Sequence, residues 1–225
     1  MPKILRLLLL FSFLSTPSHS YSATKYQDYK DIKFNVYRNN SLIGYHKINF
    51  YFERNIIKTD IEIKFEVKFL GFLVYDYFHK NNETWENNSL INLLSRTDKN
   101  GDNLNCNLKK EGSQFALDGS LNKDILDFSP LPTSYWNIEI IKHSNTKVLN
   151  TQDCSFIDFK IEFLGEKVIY DNLPTNHYKL TGKEITGEFI DIDIWYDKSK
   201  EWVKMIFIKE DSTIEYILDK YDNKN

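Results

Sequence analysis

The sequence predicts a mainly β protein: a curved antiparallel sheet of roughly ten to thirteen strands, a half-barrel or open barrel, with one short helix around 134–142. Three observations predict this class. Apolar and charged residues alternate along most of the chain, clusters of Asn, Gly and Asp separate the alternating runs, and one segment breaks the alternation. This pattern favours antiparallel strands joined by short turns.

The alternation is clearest from Ile57 to Phe69, where every odd position is apolar or Thr and every even position is charged. Side chains of a strand point alternately to its two faces, so this strand has one buried face and one wet face. Shorter runs with the same pattern lie at 48–52, 91–93, 157–163, 190–194, 202–208 and 214–218.

Turn signals separate these runs. Asn100-Gly101 is the best single hairpin candidate, because both residues tolerate the positive φ that a tight hairpin turn requires. Consecutive strands joined in this way form antiparallel meanders. Further turn signals lie at 39–41, 81–82, 87–88, 111–112, 118–119, 165, 182 and 211–212.

The segment that breaks the alternation follows Pro132. Pro followed by Thr and Ser is a helix-start signal, Trp136 and Ile140 are four residues apart, and Lys142 and His143 suit a helix C-terminus. A helix this short cannot cover the apolar face of ten strands, so the sheet must curl on itself. Its aromatic residues, 15% of the chain, either fill the core or line a cavity for an apolar ligand.

Residues 1–23 have the layout of a cleavable signal peptide, with Lys3 and Arg6 before an apolar run that ends near Leu14. Cleavage after Ser20 or Ala23 leaves one β-rich domain, 24–225, in the periplasm. Because the apolar run is shorter than a membrane span, no transmembrane segment is expected after cleavage.

Charge and motifs exclude several functions. The chain carries 29 Lys and Arg against 32 Asp and Glu, and loss of the signal makes it more acidic, which argues against nucleic-acid binding. No metal-ligand spacing, phosphate loop or Gly-x-Ser-x-Gly motif occurs, so we expect no metal, no cofactor and no catalytic residue. These absences argue against an enzyme without excluding one. A disulfide between Cys106 and Cys154 and a buried free Cys106 thiol both remain open.

The candidate ligand-binding residues are aromatics near strand ends and one of the four Arg residues. Each has a structural alternative: Trp85 and Tyr196 end strands at the rim of a core, Arg96 adjoins a tight turn, and the segment with Tyr135 and Trp136 is either a plug or a mobile lid. Ser134 has no nucleophile motif around it, and nothing in the sequence brings Glu83 and Asp98 or Asp197 together as paired carboxylates. The predicted site is therefore Trp85, Arg96, Tyr135, Trp136 and Tyr196.

The mature chain resembles a family of exported bacterial proteins known as a domain of unknown function. The resemblance lies in peptides that occur in order at 34–38, 43–46, 83–85, 96–101, 132–136, 151–153 and 195–197. Its architecture is similar to the curved half-barrels of periplasmic lipoprotein and lipid carriers, which implies a binding role but no catalytic residues. Cys106 and Cys154 lie outside the family pattern, so a disulfide would be peculiar to this chain.

Three hypotheses follow. The first is a periplasmic protein that binds or carries an apolar or amphipathic ligand, such as a lipid or an acyl chain, in the cavity of the curved sheet. The second is a cell-envelope structural or assembly factor that contacts a partner protein. The third is a hydrolase whose site the sequence does not reveal.

Overall fold

A computed structural model describes residues 26, 30–222 and 224, which form fifteen strands and two 3₁₀ turns, at Ile138–Ile141 and Asp219–Tyr221. The predicted signal peptide, 1–23, lies outside the described residues. The strands are β1 (Asp31–Arg38), β2 (Ser41–Glu53), β3 (Ile56–Phe69), β4 (Phe72–Glu86), β5 (Ser89–Lys99), β6 (Asp102–Glu111), β7 (Gln114–Gly119), β8 (Lys123–Leu126), β9 (Leu131–Pro132), β10 (Asn145–Leu149), β11 (Phe156–Ile169), β12 (Leu173–Lys183), β13 (Phe189–Asp197), β14 (Trp202–Lys209) and β15 (Ser212–Leu218).

All fifteen strands belong to one sheet, in the order β8-β7-β6-β5-β4-β3-β2-β1-β15-β14-β13-β12-β11-β10-β9. Neighbours are antiparallel except β9 and β10, which are parallel. The first eight strands form one meander, the last seven form a second, and the pairing of β1 with β15 joins them. The sheet is open, with β8 and β9 as its edge strands.

The predicted mainly β, barrel-like class is confirmed, with two differences. The structure has fifteen strands, not ten to thirteen, because short edge strands such as β9 escape a periodicity search. The helix expected at 134–142 is reduced to the 3₁₀ turn Ile138–Ile141. Tyr135 has a left-handed φ of +58°, which an α-helix cannot contain.

The turn predictions are confirmed at the hairpins. Asn100 and Gly101 join β5 and β6 with φ values of +55° and +94°, as a type I′ turn requires. The signals at 81–82 and 182 lie inside strands, and Gly165 lies at a β-bulge of β11. At these positions the strand pairing outweighs the local turn preference.

The alternation places the core on the concave face of the sheet. Ile61 of β3 lies opposite Ile48 of β2 and Asn81 of β4, and all three side chains are buried. Asp60 and Glu62 flank Ile61 and point to the other face, as the period of two requires.

Contacts between β5–β7 and the loop 150–155 hold the curled sheet together. Cys106 of β6 forms a disulfide with Cys154, with a Cα–Cα distance of 4.8 Å. The Ser95 hydroxyl donates to the Thr151 carbonyl, and the Leu121 amide donates to the Asp153 carbonyl at 2.9 Å. The disulfide, which the sequence left open, therefore fixes the curvature of the sheet.

Among the residues that the structure describes, no helix has the length and apolar character needed to cross a bilayer.

Candidate functional site

The turns of the meander fall alternately at two ends of the curled sheet. One end carries the turns at 54–55, 87–88 and 198–201, and we call it the sealed end. The other carries the turns at 39–40, 70–71, 100–101, 184–188 and 210–211. The two ends differ in what covers their apolar side chains.

Trp136 plugs the sealed end. Its indole packs edge-on against Trp85, with ring centroids 5.5 Å apart, and against Phe50 at 5.4 Å. Tyr26 stacks on Phe50 at 4.7 Å, and its hydroxyl donates to the Trp136 carbonyl at 3.1 Å. Trp136 is therefore held through both its ring and its backbone.

Glu83 is buried at the sealed end, where its carboxyl group accepts hydrogen bonds from four neighbouring side chains. Asn81 donates to its Oε1 at 2.8 Å, while the indoles of Trp85 and Trp136 donate to its Oε2 at 2.9 and 3.2 Å. The Thr59 hydroxyl reaches the same oxygen at 3.3 Å. Both carboxylate oxygens are thus paired, as a group buried this deeply requires.

Burial raises the pKa of the Glu83 carboxyl above its ordinary value, and the hydrogen bonds from Trp85, Asn81 and Trp136 oppose that shift. Glu83 therefore holds Trp136 in place, because movement of the indole would remove one hydrogen-bond donor from a buried carboxyl group.

Tyr135 stands at a strained backbone position beside the plug. The Trp136 amide donates to the Ser134 carbonyl at 2.8 Å across Tyr135, which closes a γ-turn. The Tyr196 hydroxyl donates to the Tyr135 carbonyl at 2.7 Å and holds the turn in place. A bulky residue at positive φ persists only where its surroundings fix it, as they do here.

Two buried histidines lie on the concave face between the ends. His46 packs against Trp202 at 5.3 Å and Tyr216 at 5.8 Å, and neither ring nitrogen has a hydrogen-bond partner among the described residues. His79 contacts the hydroxyls of Thr97 at 2.8 Å and Thr151 at 3.4 Å. Burial lowers the pKa of His46 to about 3 and that of His79 to about 4, so both are neutral at neutral pH.

The structure brings together four of the five predicted site residues. Trp85, Tyr135, Trp136 and Tyr196 meet at the sealed end. There they pack on one another, and Trp85 and Tyr196 are 1% and 0% exposed, so these aromatics fill the core.

Arg96 does not join them. It lies exposed on the outer face of β5, with its guanidinium carbon 5.7 Å from the centre of the Phe78 ring. Arg96 is an even-numbered neighbour of the inward-facing Ser95 and Thr97, so the strand period turns it away from the concave face. The structure therefore places Arg96 apart from the other four predicted site residues.

The residues proposed for a hydrolase do not converge either. Glu83 is buried on the concave face, whereas Asp98 is exposed and accepts the Gly101 amide at 2.8 Å. Asp197 accepts the amides of Ser199 and Glu201 in the β13–β14 turn. Ser134 is 4% exposed inside the plug. Within the described part of the chain, no group of three His, Cys, Asp or Glu side chains is arranged to hold a metal.

The end opposite the plug exposes a ring of large apolar side chains. We call these residues the apolar rim: Leu42, Leu70, Phe72, Leu73, Val74, Leu121, Ile185, Phe189 and Ile208. Scattered exposed apolar residues need no explanation, whereas these nine are gathered at one end of the sheet.

The tip of the β3–β4 hairpin dominates the apolar rim. Leu70 is 81% exposed and Phe72 is 76% exposed. Strand alternation does not reveal this surface, but the sequence contains a signal for it: residues 69–75 form an unbroken run without a charged side chain, which ends the alternation of β3.

The turn at the tip is also unusual in its sequence. Leu70 and Gly71 have φ values of +49° and +85°, the same left-handed geometry as Asn100 and Gly101. Asn tolerates this conformation and Leu does not favour it. Leu70 thus combines an unfavourable backbone conformation with a side chain that is 81% exposed.

These features define a class: a barrel-like β domain plugged at one end and apolar at the other. The chain belongs to the DUF6134 family, a domain of unknown function whose model matches residues 34–219. No curated protein matches the sequence.

A solved structure shares the fold. It is described as a beta-barrel-like protein of the domain of unknown function DUF1849 from Brucella abortus, and it aligns with a TM-score of 0.62 at 9% identity. The alignment covers 84% of this chain and 94% of that chain. At this identity the likeness extends to the fold and not to a function.

Proposed function

We propose that this protein binds an amphipathic, acyl-bearing ligand, such as a lipid, through the apolar rim. The observation that carries the proposal is the rim itself, with Leu70 and Phe72 exposed at the hairpin tip and Ile185, Phe189 and Ile208 exposed on the adjoining strands. Covering such a surface with acyl chains removes apolar area from water, which is favourable by roughly 25 cal/mol per Å².

Aromatic side chains continue the apolar surface from the rim into the concave face. Phe65 stacks on Tyr77 with ring centroids 5.4 Å apart, and Phe65 also meets Tyr216 edge-on at 6.1 Å. Phe207 packs against Tyr216 at 6.1 Å. An acyl chain that rests on the rim would therefore meet aromatic faces at its inner edge. The plug at the other end supports this arrangement by keeping the far side of the sheet rigid.

Export to the periplasm is part of the proposal. The disulfide between Cys106 and Cys154 supports it, because such bonds persist in oxidising compartments. The signal-peptide pattern of residues 1–23 points the same way. Acyl-bearing molecules that pass through an aqueous compartment need a protein surface to shield their chains.

The test measures acyl binding with and without the rim. The mature full-length chain is titrated with dodecyl maltoside below its critical micelle concentration, and the intrinsic Trp fluorescence and the native mass are followed. The rim variant carries Leu70→Ser and Phe72→Ser. The control carries Leu94→Ser and Val168→Ser, which remove exposed apolar side chains elsewhere on the sheet.

We expect the rim variant to bind the probe at least about tenfold more weakly, and the control to bind as the natural chain does. Acyl material that co-purifies in stoichiometric amount with the natural chain and not with the rim variant supports the proposal further. Equal binding by all three chains would contradict it and would favour the envelope-factor alternative, in which a partner protein covers the rim.

A further inference from the structure

A groove of about 920 Å³ opens on the outer face beside the β3–β4 hairpin. Gly44 of β2, which pairs with Phe65 of β3, lines the groove, and a Cβ there would meet the Lys64 carbonyl oxygen at 1.8 Å, so only glycine fits. The lining residues are Lys33, Asn35, Arg38, Asn39, Ser41, Leu42, Ile43, Gly44, Tyr45, Glu66, Val67, Lys68, Val74 and Ser212.

The charges of the groove oppose those of the whole chain. Lys33, Arg38 and Lys68 line it together with one acid, Glu66, whereas the chain as a whole has a net charge of −3. Lys33 already pairs with Asp219 at 3.3 Å, so the positive charge that a ligand could use lies at Arg38 and Lys68. A cationic groove on an acidic protein attracts an anion to this one place.

Arg38 is the strongest anion-binding group in the groove. Its Nε donates to the Ser212 hydroxyl at 2.9 Å, and among the described residues it has no carboxylate partner. Lys68 pairs with Glu66 at 3.4 Å, with both side chains exposed, and such a pair is weak enough for a ligand to replace. A guanidinium offers its remaining donors as a fork that matches phosphate oxygens.

The groove is continuous with the apolar rim. Leu42 and Val74 belong to both, and Ile43 and Val67 extend the apolar lining inward from them. A molecule with an anionic head and acyl chains therefore fits both surfaces at once, with its head beside Arg38 and its chains over the hairpin tip.

We propose that this groove binds the phosphate headgroup of an anionic phospholipid. The inference rests on the proposed function, since the acyl chains of the same lipid occupy the apolar rim. It adds a headgroup class to that function: a phosphodiester without a compensating cation, such as phosphatidylglycerol, in preference to zwitterionic phosphatidylcholine.

The test compares soluble lipids that differ only in headgroup. Dihexanoyl phosphatidylglycerol, dihexanoyl phosphatidylcholine and inorganic phosphate, each below any micelle threshold, are titrated into the full chain and followed by calorimetry. The groove variants are Arg38→Gln and Lys68→Gln, made separately and together. The control is Lys109→Gln with Lys123→Gln, whose side chains are 73% and 77% exposed away from the groove.

We expect phosphatidylglycerol to bind several-fold more tightly than phosphatidylcholine, and the groove variants to remove that preference by weakening phosphatidylglycerol about tenfold. The control should keep the preference. Equal affinity for the two lipids, or a preference that survives the groove variants, would overturn the headgroup inference while leaving the rim proposal standing.

Two further outcomes distinguish free phosphate from lipid as the ligand, and failure of the headgroup inference from failure of both proposals. Inorganic phosphate that binds as tightly as phosphatidylglycerol would assign the groove to free phosphate and overturn the lipid assignment. Loss of binding of both lipids in the Leu70→Ser, Phe72→Ser variant supports the shared surface, whereas no binding of either lipid by the natural chain would overturn both proposals.

Discussion

The sealed end and the apolar rim are built from the same strands and treat apolar side chains in opposite ways. At the sealed end, Trp85 and Trp136 are buried, and both indole nitrogens donate to Glu83. At the rim, Leu70 and Phe72 are exposed on a strained turn. The difference teaches that one end buries its large apolar side chains within the folded chain, and that the other leaves them exposed.

Removal of the Trp136 side chain should cause the largest loss of stability. Trp136→Ala leaves a cavity against Trp85 and Phe50 and deprives Glu83 of a donor, so the free energy of unfolding should fall by about 3–5 kcal/mol. Urea denaturation followed by circular dichroism measures this change. Phe72→Ala at the rim is the matched control and should change stability by less than about 0.5 kcal/mol. Equal losses would erase the distinction between the two ends.

Loss of the disulfide between β6 and the β10–β11 loop should come next. Replacing Cys106 and Cys154 with Ala opens a link across a sequence separation of 48, which should cost about 4 kcal/mol through the entropy of the unfolded chain. Thermal unfolding of the double variant, beside the natural chain with and without reductant, tests this value. A variant as stable as the oxidised natural chain would show that the hydrogen bonds at 95–151 and 121–153 suffice to hold the curvature.

Acid should lower the free energy of unfolding through His46, which lies between the two ends. His46 has a folded-state pKa of about 3 against 6.5 when unfolded, so the unfolded chain takes up a proton that the folded chain does not. Stability should therefore fall as pH drops from 6.5 towards 3, by about 2 kcal/mol for His46 between pH 6.5 and 5.

The variant His46→Phe isolates that contribution. His79, with its pKa lowered to about 4, acts in the same direction, whereas the raised pKa of Glu83 makes stability fall as pH rises above 4.5. Both remain in the variant, so the difference between the two pH profiles belongs to His46. An identical slope in His46→Phe and the natural chain would show that folding does not shift the pKa of His46.

The smallest change in stability is expected at the β3–β4 turn, where it tests directly whether Leu70 serves folding or binding. Leu70→Asn places the residue preferred at a left-handed turn position beside Gly71, so stability should rise by about 0.5–1 kcal/mol while lipid binding weakens. The reciprocal change Asn100→Leu, in the matching turn of β5 and β6, should lower stability without altering lipid binding. A Leu70→Asn chain that is less stable than the natural one would show that Leu70 has a folding role.

Local physics accounts for what was predictable. The alternation of Ile57 to Phe69 and the Asn100-Gly101 turn depend on strand period and φ preference alone, and the structure follows both. The same logic failed at 134–142, because the Tyr135 turn is held by the distant Tyr196 hydroxyl and not by local sequence. The strand period alone places Arg96 on the face opposite Ser95 and Thr97, away from the aromatic cluster.

The candidate site was likewise predictable from the sequence only in part. The aromatics at 85, 135, 136 and 196 could be picked from the sequence as members of one cluster, but their burial against Glu83 depends on strands that are far apart in the chain. The apolar run at 69–75 was visible in the sequence, yet only the register of the sheet places it at the same end as Ile185 and Ile208.

The sequence by itself determined a strand-dominated chain with a wet and a dry face, since side-chain period and turn chemistry are properties of neighbouring residues. Only the tertiary structure decided that Cys106 pairs with Cys154, which end of the sheet Trp136 plugs and where the cationic groove joins the apolar rim. Those features depend on the curvature of the whole sheet, which brings residue 106 to 154 and residue 83 to 136.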